Sequence, residues 1–280
     1  MRNVKLKHKQ MTKAAYPTID QPGAYLSEIL RHYNFWMSLA QIDLRNRFRR
    51  TSLGIIWVVI QPFMFTLILS LIFHFVFKRD FFEFSVYVFS GITLWVWFSE
   101  SVILGANSIT HSQAFIRQRR LPLAIYSMRT FIVSLLTYLL SFAGLLVWLL
   151  LTGHVPGLYA LLLPLNILFI GMALFPLVVF SGVIGTLYRD YQQFSQIILQ
   201  ALWFLSPVFM DKSVFLNPGL NVWDYFNPVS NMLELIRKPL IENMLPTWEN
   251  YLFAALFGLA GWALAYLFLK RHEKRLIYYL

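Results

Sequence analysis

No cysteine occurs among the 280 residues, which excludes disulfide bonds and thiolate metal sites. No Gly-x-x-x-x-Gly-Lys-Ser/Thr run occurs, so the chain has no phosphate loop with which to hold ATP itself. The six histidines (His8, His32, His74, His111, His154 and His272) are scattered and form no pair at helical spacing, so no metal site is expected. Charge is scarce: 13% of the residues are Asp, Glu, Lys or Arg, against roughly 25% in soluble domains. What charge there is avoids the middle of every long apolar run. Carriers driven by protons or ions usually keep a carboxylate or histidine there, so a pump with this sequence takes its work from a partner, unless a backbone-only ion site serves. The polar, basic first fifty residues leave no early apolar core, and no cleavable signal peptide is expected.

Apolar surface is what the chain has. Hydrophobic residues make up 58% and aromatics 18%, with 26 Phe, 14 Tyr and 9 Trp. A soluble fold of this length cannot hide that much; a bilayer can, because lipid replaces water as the solvent. Six runs read as spans, at about 53–77, 84–106, 123–151, 158–187, 194–209 and 251–269. Each except the fifth is long enough for a core roughly 30 Å thick. The net charge of +11 flanks these runs and marks no nucleic-acid surface; it reads as orientation signal and attraction to anionic headgroups. With both termini, the 107–120 loop, Arg129 and the 188–191 link on one side, that side holds 19 of the 24 Lys and Arg. Both ends are therefore expected in the cytoplasm.

The fold expected is an all-α integral membrane protein. Residues 1–23 form a basic tail, 24–50 an amphipathic helix in the membrane interface, 51–269 a six-span domain and 270–280 a basic tail. In the helix, Leu26, Ile29, Tyr33, Trp36, Ala40, Leu44 and Phe48 recur every three or four residues; packing on protein is the alternative to the interface. The 211–250 segment, between spans five and six, is rich in Pro and Asn but keeps Trp223, Phe226, Leu233 and Ile236. It reads as short helices dipping back toward the membrane, with Asn227-Pro228 starting one and Pro239 ending or kinking it.

Glu100 and Arg129 each lie about six residues, or about 9 Å, inside the membrane from the same face. They are expected to pair or to share one polar network, since a lone charge there is costly; snorkelling of Arg129 is the alternative. Arg45, Arg47, Arg49 and Arg50 cluster where the helix meets the first span. They read either as orientation anchors or as a contact for phosphate oxygens, which guanidinium forks suit. Trp57, Phe63, Phe65, Trp95, Trp97, Phe98, Trp203, Phe204 and Phe209 are interfacial belts or faces for sugar stacking, and Gln61 and Gln200 are pore candidates because amides avoid lipid. A membrane glycosyl- or acyltransferase would need converging acid and base groups; the outward carboxylates Asp211, Asp224, Glu234, Glu242 and Glu249 are dispersed.

The run Asp43-Leu44-Arg45-Asn46-Arg47-Phe48-Arg49-Arg50-Thr51-Ser52-Leu53-Gly54-Ile55-Ile56-Trp57, followed by Gln61-Pro62, resembles the start of type-2 ABC exporter permeases, which move O-antigen, capsular polysaccharide or teichoic acid. Tyr188-Arg189-Asp190 leading to Phe204-Leu205-Ser206-Pro207-Val208, and Asn227-Pro228 leading to Glu234 and Arg237, fit the same pattern, and the closing Arg275-Leu276-Ile277-Tyr278-Tyr279-Leu280 is most similar to O-antigen permeases. The resemblance implies a transport subunit, not an enzyme, in the bacterial inner membrane. It implies a homodimer with two copies of a P-loop ATPase that carries the ATP and Mg. The 107–120 loop, with Ser112, Gln113, Phe115, Arg117, Arg119 and Arg120, would couple to that ATPase. The channel at the dimer axis would be lined by the first and fifth spans, including Trp57, Gln61, Gln200, Trp203, Phe204 and Phe209. The substrate would be a polyprenyl-diphosphate-linked glycan whose diphosphate meets Arg45, Arg47, Arg49 and Arg50, and 211–250 would hold the periplasmic gate. Drug or small-glycolipid export on the same fold is the alternative cargo.

Overall fold

The computed structural model describes residues 22–49, 51–118, 121–210 and 220–279, and every regular element among them is helical. In chain order these are α1 (Pro22–Arg31), α2 (Tyr33–Phe48), α3 (Trp57–Phe77, begun by a 3-10 turn at Gly54–Ile56), α4 (Phe81–Ala106), the short α5 (Gln113–Gln118) and α6 (Ala124–Leu151). They continue with α7 (Leu163–Leu187, after a 3-10 stretch at Leu158–Leu162), α8 (Tyr191–Phe204), α9 (Leu220–Phe226), α10 (Pro228–Arg237) and α11 (Trp248–Tyr279). Among the described residues five helical stretches, those of α3, α4, α6, α7 and α11, are long and apolar enough to cross a bilayer. Helix is what such runs must form, because lipid offers no partner to an open backbone N–H or C=O.

The expected fifth span falls short. α8 has 14 residues, about 21 Å at 1.5 Å per residue, against a core of roughly 30 Å. Its end is set by Pro207, which disfavours helical backbone at Ser206. The Leu205 N–H bonds the Ala201 carbonyl at 3.1 Å, and the turn through Ser206 follows.

α4 and α7 form the centre, with α6 and α11 packed against α7 and α3 held chiefly by α4 and α6. In its most apolar stretch α3 buries 17%, against 61% for α4 and for α7. One side of α3 therefore has no partner among the described residues. The α4–α7 crossing is close because it is built on small residues: a Cβ on Gly185 would lie 2.3 Å from the Ala106 carbonyl oxygen, and one on Gly182 would lie 2.5 Å from Ser108 Oγ. This is how membrane helices gain dispersion contact without a hydrophobic drive between them.

Two prolines leave carbonyls without helical donors, and a neighbouring helix satisfies each. Pro62 cannot bond Val58 O, and Ser141 Oγ of α6 donates to it at 2.8 Å. Pro239 cannot bond Leu235 O, and Asn166 Nδ2 of α7 donates to it at 2.7 Å, while Asn166 Oδ1 accepts from Tyr251 OH of α11 at 2.8 Å. Asn166 is fully buried, so Asn166→Leu should orphan that carbonyl and the tyrosine. We expect a loss of about 2 kcal/mol and a melting midpoint in detergent lower by about 5 °C; an unchanged midpoint by scanning fluorimetry would count against this.

The N-terminal helix expected over 24–50 is two helices, broken at His32 (φ −93°, ψ 26°), whose ring shares the Glu28 carbonyl (2.9 Å) with its own backbone N–H (3.2 Å). Part of the apolar stripe expected to face the membrane packs on protein. Ile29, Trp36 and Ala40 of the expected stripe, with Tyr25 and Leu39, are buried against protein, while Leu30, Tyr33 and Ile42 point outward. α2 lies along α6, and Trp36 Nε1 bonds the Ile29 carbonyl at 3.0 Å. At the opposite end Asn227 caps α10 as expected, its Oδ1 accepting from Val229 N at 3.0 Å with Pro228 in the first position. After α10 the helix widens into a π turn, Lys238–Glu242, that contains Pro239. Tyr25 OH of α1 donates to Glu273 near the end of α11 (3.2 Å) and accepts from Ala124 N at the start of α6 (3.3 Å).

Candidate functional site

α2 places Asp43 and Arg47 one turn apart, and the two reach different helices. Asp43 holds Arg129 of α6 through two hydrogen bonds, and Arg129 Nη1 donates to Ser112 Oγ at 3.3 Å. Arg47 pairs with Glu100 of α4, and Glu100 Oε2 accepts from Thr137 Oγ1 of α6 at 3.0 Å. Glu100 and Arg129 thus do not pair with each other, contrary to the direct pairing expected. Both find their partner on α2, which packs along α6.

A groove of about 950 Å³ runs upward from the Arg47–Glu100 pair between α3, α4, α6 and α8. Its lower end is polar, with Arg47, Thr51, Glu100, Thr137 and Ser141. Its walls above are aromatic, with Trp57, Phe65, Trp95 and Trp203, and carry the amide of Gln61. A second, polar cavity of about 370 Å³ lies beside it, bordered by Asp43, Asn107, His111 and Arg129, and Arg47 borders both. A shallow depression of about 530 Å³ on the other side of α2 holds Arg45 and Arg49 among Leu44, Phe48 and Ile55.

Of the expected site residues, Trp57, Gln61 and Trp203 therefore meet in one groove, together with Arg47. The arginine cluster divides: Arg45 and Arg49 face outward as an i, i+4 pair, Arg47 faces inward, and Arg50 lies outside the described residues. Gln200 and Phe204 are exposed on α8 and do not border the groove. Phe209 is buried, stacked on Trp203 at 5.6 Å and edge-on to Phe73. Ser112 is fully buried, whereas Gln113, Phe115 and Arg117 on α5 are exposed. Arg119 and Arg120 lie outside the described residues.

One residue that the sequence offered only as part of the family pattern, on the outward side, proves central. Arg237 is 2% exposed. It donates to Pro207 O (2.6 Å), Val208 O (2.7 Å), Tyr87 O (3.1 Å) and Ser90 Oγ (3.1 Å), and it lies over the Tyr87 ring at 3.6 Å. It joins α10, the turn after α8 and the first half of α4. The signal in the sequence was a lone Arg among Leu233, Leu235 and Ile236 in a helix bounded by prolines.

Residues 34–241 match the ABC-2 type transporter family. The chain is 25% identical over 249 residues, 88% of its own length and 96% of the relative's, to the O-antigen export system permease protein RfbA of Myxococcus xanthus. It is 22% and 21% identical, over 78% and 79% of its length, to two proteins of the same name from Klebsiella pneumoniae, of which 83% and 84% are covered.

Proposed function

The chain belongs to the ABC-2 type transporter family, as the multi-pass permease subunit of an exporter, and we propose that it carries a polyprenyl-diphosphate-linked polysaccharide, of the O-antigen kind, from cytoplasm to periplasm. The observation that carries this reading is the groove itself. A polar end with a guanidinium suits a phosphate headgroup, and a wall of Trp57, Trp95 and Trp203 suits sugar rings. The relatives named for O-antigen export support the cargo; capsular polysaccharide, teichoic acid and small molecules are the alternatives.

Crossing the inner membrane six times, with both termini in the cytoplasm, agrees with the contacts. The α1–Glu273 bond favours the first and last helices meeting at one end, which needs an even number of crossings. α8 and the turn to Val208 supply the missing one, since Val208 and Tyr87 share Arg237 near the far end of α4. The 220–242 helices then re-enter from outside as a periplasmic gate. A homodimer is supported by the bare side of α3 and by the exposed amides Gln193, Gln196 and Gln200 on α8, which lipid would leave unsatisfied. The exposed face of α5, with Gln113, Phe115 and Arg117, is the docking surface for an ATPase that supplies ATP and Mg. Transferase chemistry finds less support: Asp224 is held by Ser230 and Glu234 by Lys238.

Arg45 and Arg49 are the first diphosphate contact in this scheme. Arg45→Ala with Arg49→Ala should lower ATP-dependent export about tenfold, the order of losing one charge-assisted contact, with insertion and ATPase binding intact. Native surface glycan in that strain would remove them from the path.

A further inference from the structure

The geometry points to the Arg47–Glu100 pair as a latch that a phosphate on the substrate opens, an inference that rests on reading the substrate as a polyprenyl diphosphate. The two ion pairs of α2 are built differently. Arg129 is 11% exposed and is gripped by both oxygens of Asp43 and by Ser112. Arg47 is 38% exposed, is reachable from both cavities, and binds one oxygen of Glu100. Glu100 is 14% exposed, but a pair joined through one oxygen whose arginine is open to solvent is held more weakly than a two-oxygen pair. A phosphate, with its greater charge and its match to the guanidinium fork, displaces the carboxylate. Glu100 is not stranded when this happens, because Thr137 Oγ1, 2.8 Å from the Ser134 carbonyl and 3.0 Å from Glu100 Oε2, can turn its one hydrogen to the carboxylate.

Losing one tie and keeping the other turns α2 into a lever. Asp43 stays fixed on Arg129, and the end of α2 at Phe48 comes free. That end leads directly to the joint of α2 with α3. There Gly54 adopts φ +57° with nothing within 4 Å of a Cβ position, so the joint has room to turn. α3 itself is the least buried span, and it forms one wall of the groove. Phosphate capture at Arg47 thus releases the wall that must move to admit the glycan. Through Asp43, Arg129 and Ser112 the same lever meets the turn that begins α5, so loading of the groove is felt at the ATPase-docking helix.

The absence of cysteine lets one label be placed without other changes. Leu53→Cys carrying an environment-sensitive bimane, in full-length chain in zwitterionic nanodiscs, reads the joint directly. Farnesyl diphosphate should shift the emission; inorganic pyrophosphate should do so only at higher concentration, and farnesol should not. Glu100→Gln should show the shifted emission without ligand and bind farnesyl diphosphate about fivefold more tightly, since the competing carboxylate charge is gone. Arg47→Gln should be shifted and unresponsive. Arg47→Glu with Glu100→Arg restores a pair, and should keep the native resting emission and lose the response. Native emission and affinity in Glu100→Gln, or an equal shift with farnesol, would overturn the latch. If the native chain binds farnesyl diphosphate and exports glycan while Glu100→Gln stays silent, the latch alone fails; if the native chain binds none, the substrate reading fails with it.

Discussion

Arg237→Ala should lower the melting midpoint of the detergent-solubilised protein by about 10 °C, from a loss of about 3–5 kcal/mol, and should abolish export. The guanidinium donates to four oxygens on two separate parts of the chain. Removing it leaves the Val208 carbonyl without that donor and the Pro207 carbonyl with only a long bond, 3.4 Å, from Tyr87 OH. Val208 is itself wholly buried, so water cannot replace the lost donors without disordering the turn. Arg237→Lys should rescue little, because one ammonium, with three hydrogens on a single nitrogen, cannot serve four acceptors on two parts of the chain. Gly91 reports on the same node independently. A Cβ there would lie 2.0 Å from Val208 O and 2.5 Å from Arg237 Nη2, so Gly91→Val must push the turn away and should reproduce the Arg237→Ala phenotype. Midpoints within 2 °C or so of native for both variants would show that the far end is not held this way.

Asp43→Asn should be the next most damaging change, since it leaves the Arg129 charge in the membrane margin without a carboxylate. A double-mutant cycle between Asp43 and Arg129 should return a coupling of about 2 kcal/mol, reduced from the value for a fully buried pair because Asp43 is 30% exposed. The Arg47–Glu100 cycle should return under about 1 kcal/mol, and a Glu100–Arg129 cycle a value near zero. A Glu100–Arg129 coupling larger than the Asp43–Arg129 one would restore the pairing first expected. Because Ser112 accepts from Arg129 just before α5, Asp43→Asn should also weaken substrate stimulation of ATP hydrolysis, whereas a role in stability alone would leave that ratio unchanged.

The long spans were legible because length and apolarity suffice to define them. The expected 53–77 run is the observed Gly54–Phe77, and 158–187 is Leu158–Leu187. Glu100 and Arg129 were expected at one level from residue counts, and both contact α2, one turn apart at Arg47 and Asp43. Their partners were not legible, because partner choice depends on α2, and a three-to-four-residue apolar stripe looks the same whether it faces lipid headgroups or α6. Once Trp36, Leu39 and Ala40 are buried on the bundle, Asp43 and Arg47 are the opposite charges within reach. The arginine cluster divided for a related reason: Arg45 and Arg49 share a helix face, while Arg47 projects about 180° from the middle of that face, on the opposite side of α2. The shortness of α8 was written in Pro207, but the fate of the chain beyond it depends on Arg237, whose donors reach across 150 residues to Tyr87.

The central claim is that this chain forms an ATP-driven path for a lipid-linked glycan with a separate ATPase. Its most direct test is transfer of polyprenyl-diphosphate-linked glycan into sealed proteoliposomes containing the chain and any P-loop ATPase found to co-purify with it, scored by protection from an added glycosidase. The account predicts protected glycan only when ATP and the ATPase are both present, and a sharp loss with the Arg45 and Arg49 substitutions. Transfer without ATP, or a chain that purifies from mild detergent with no ATPase and gives no protected glycan, would contradict it.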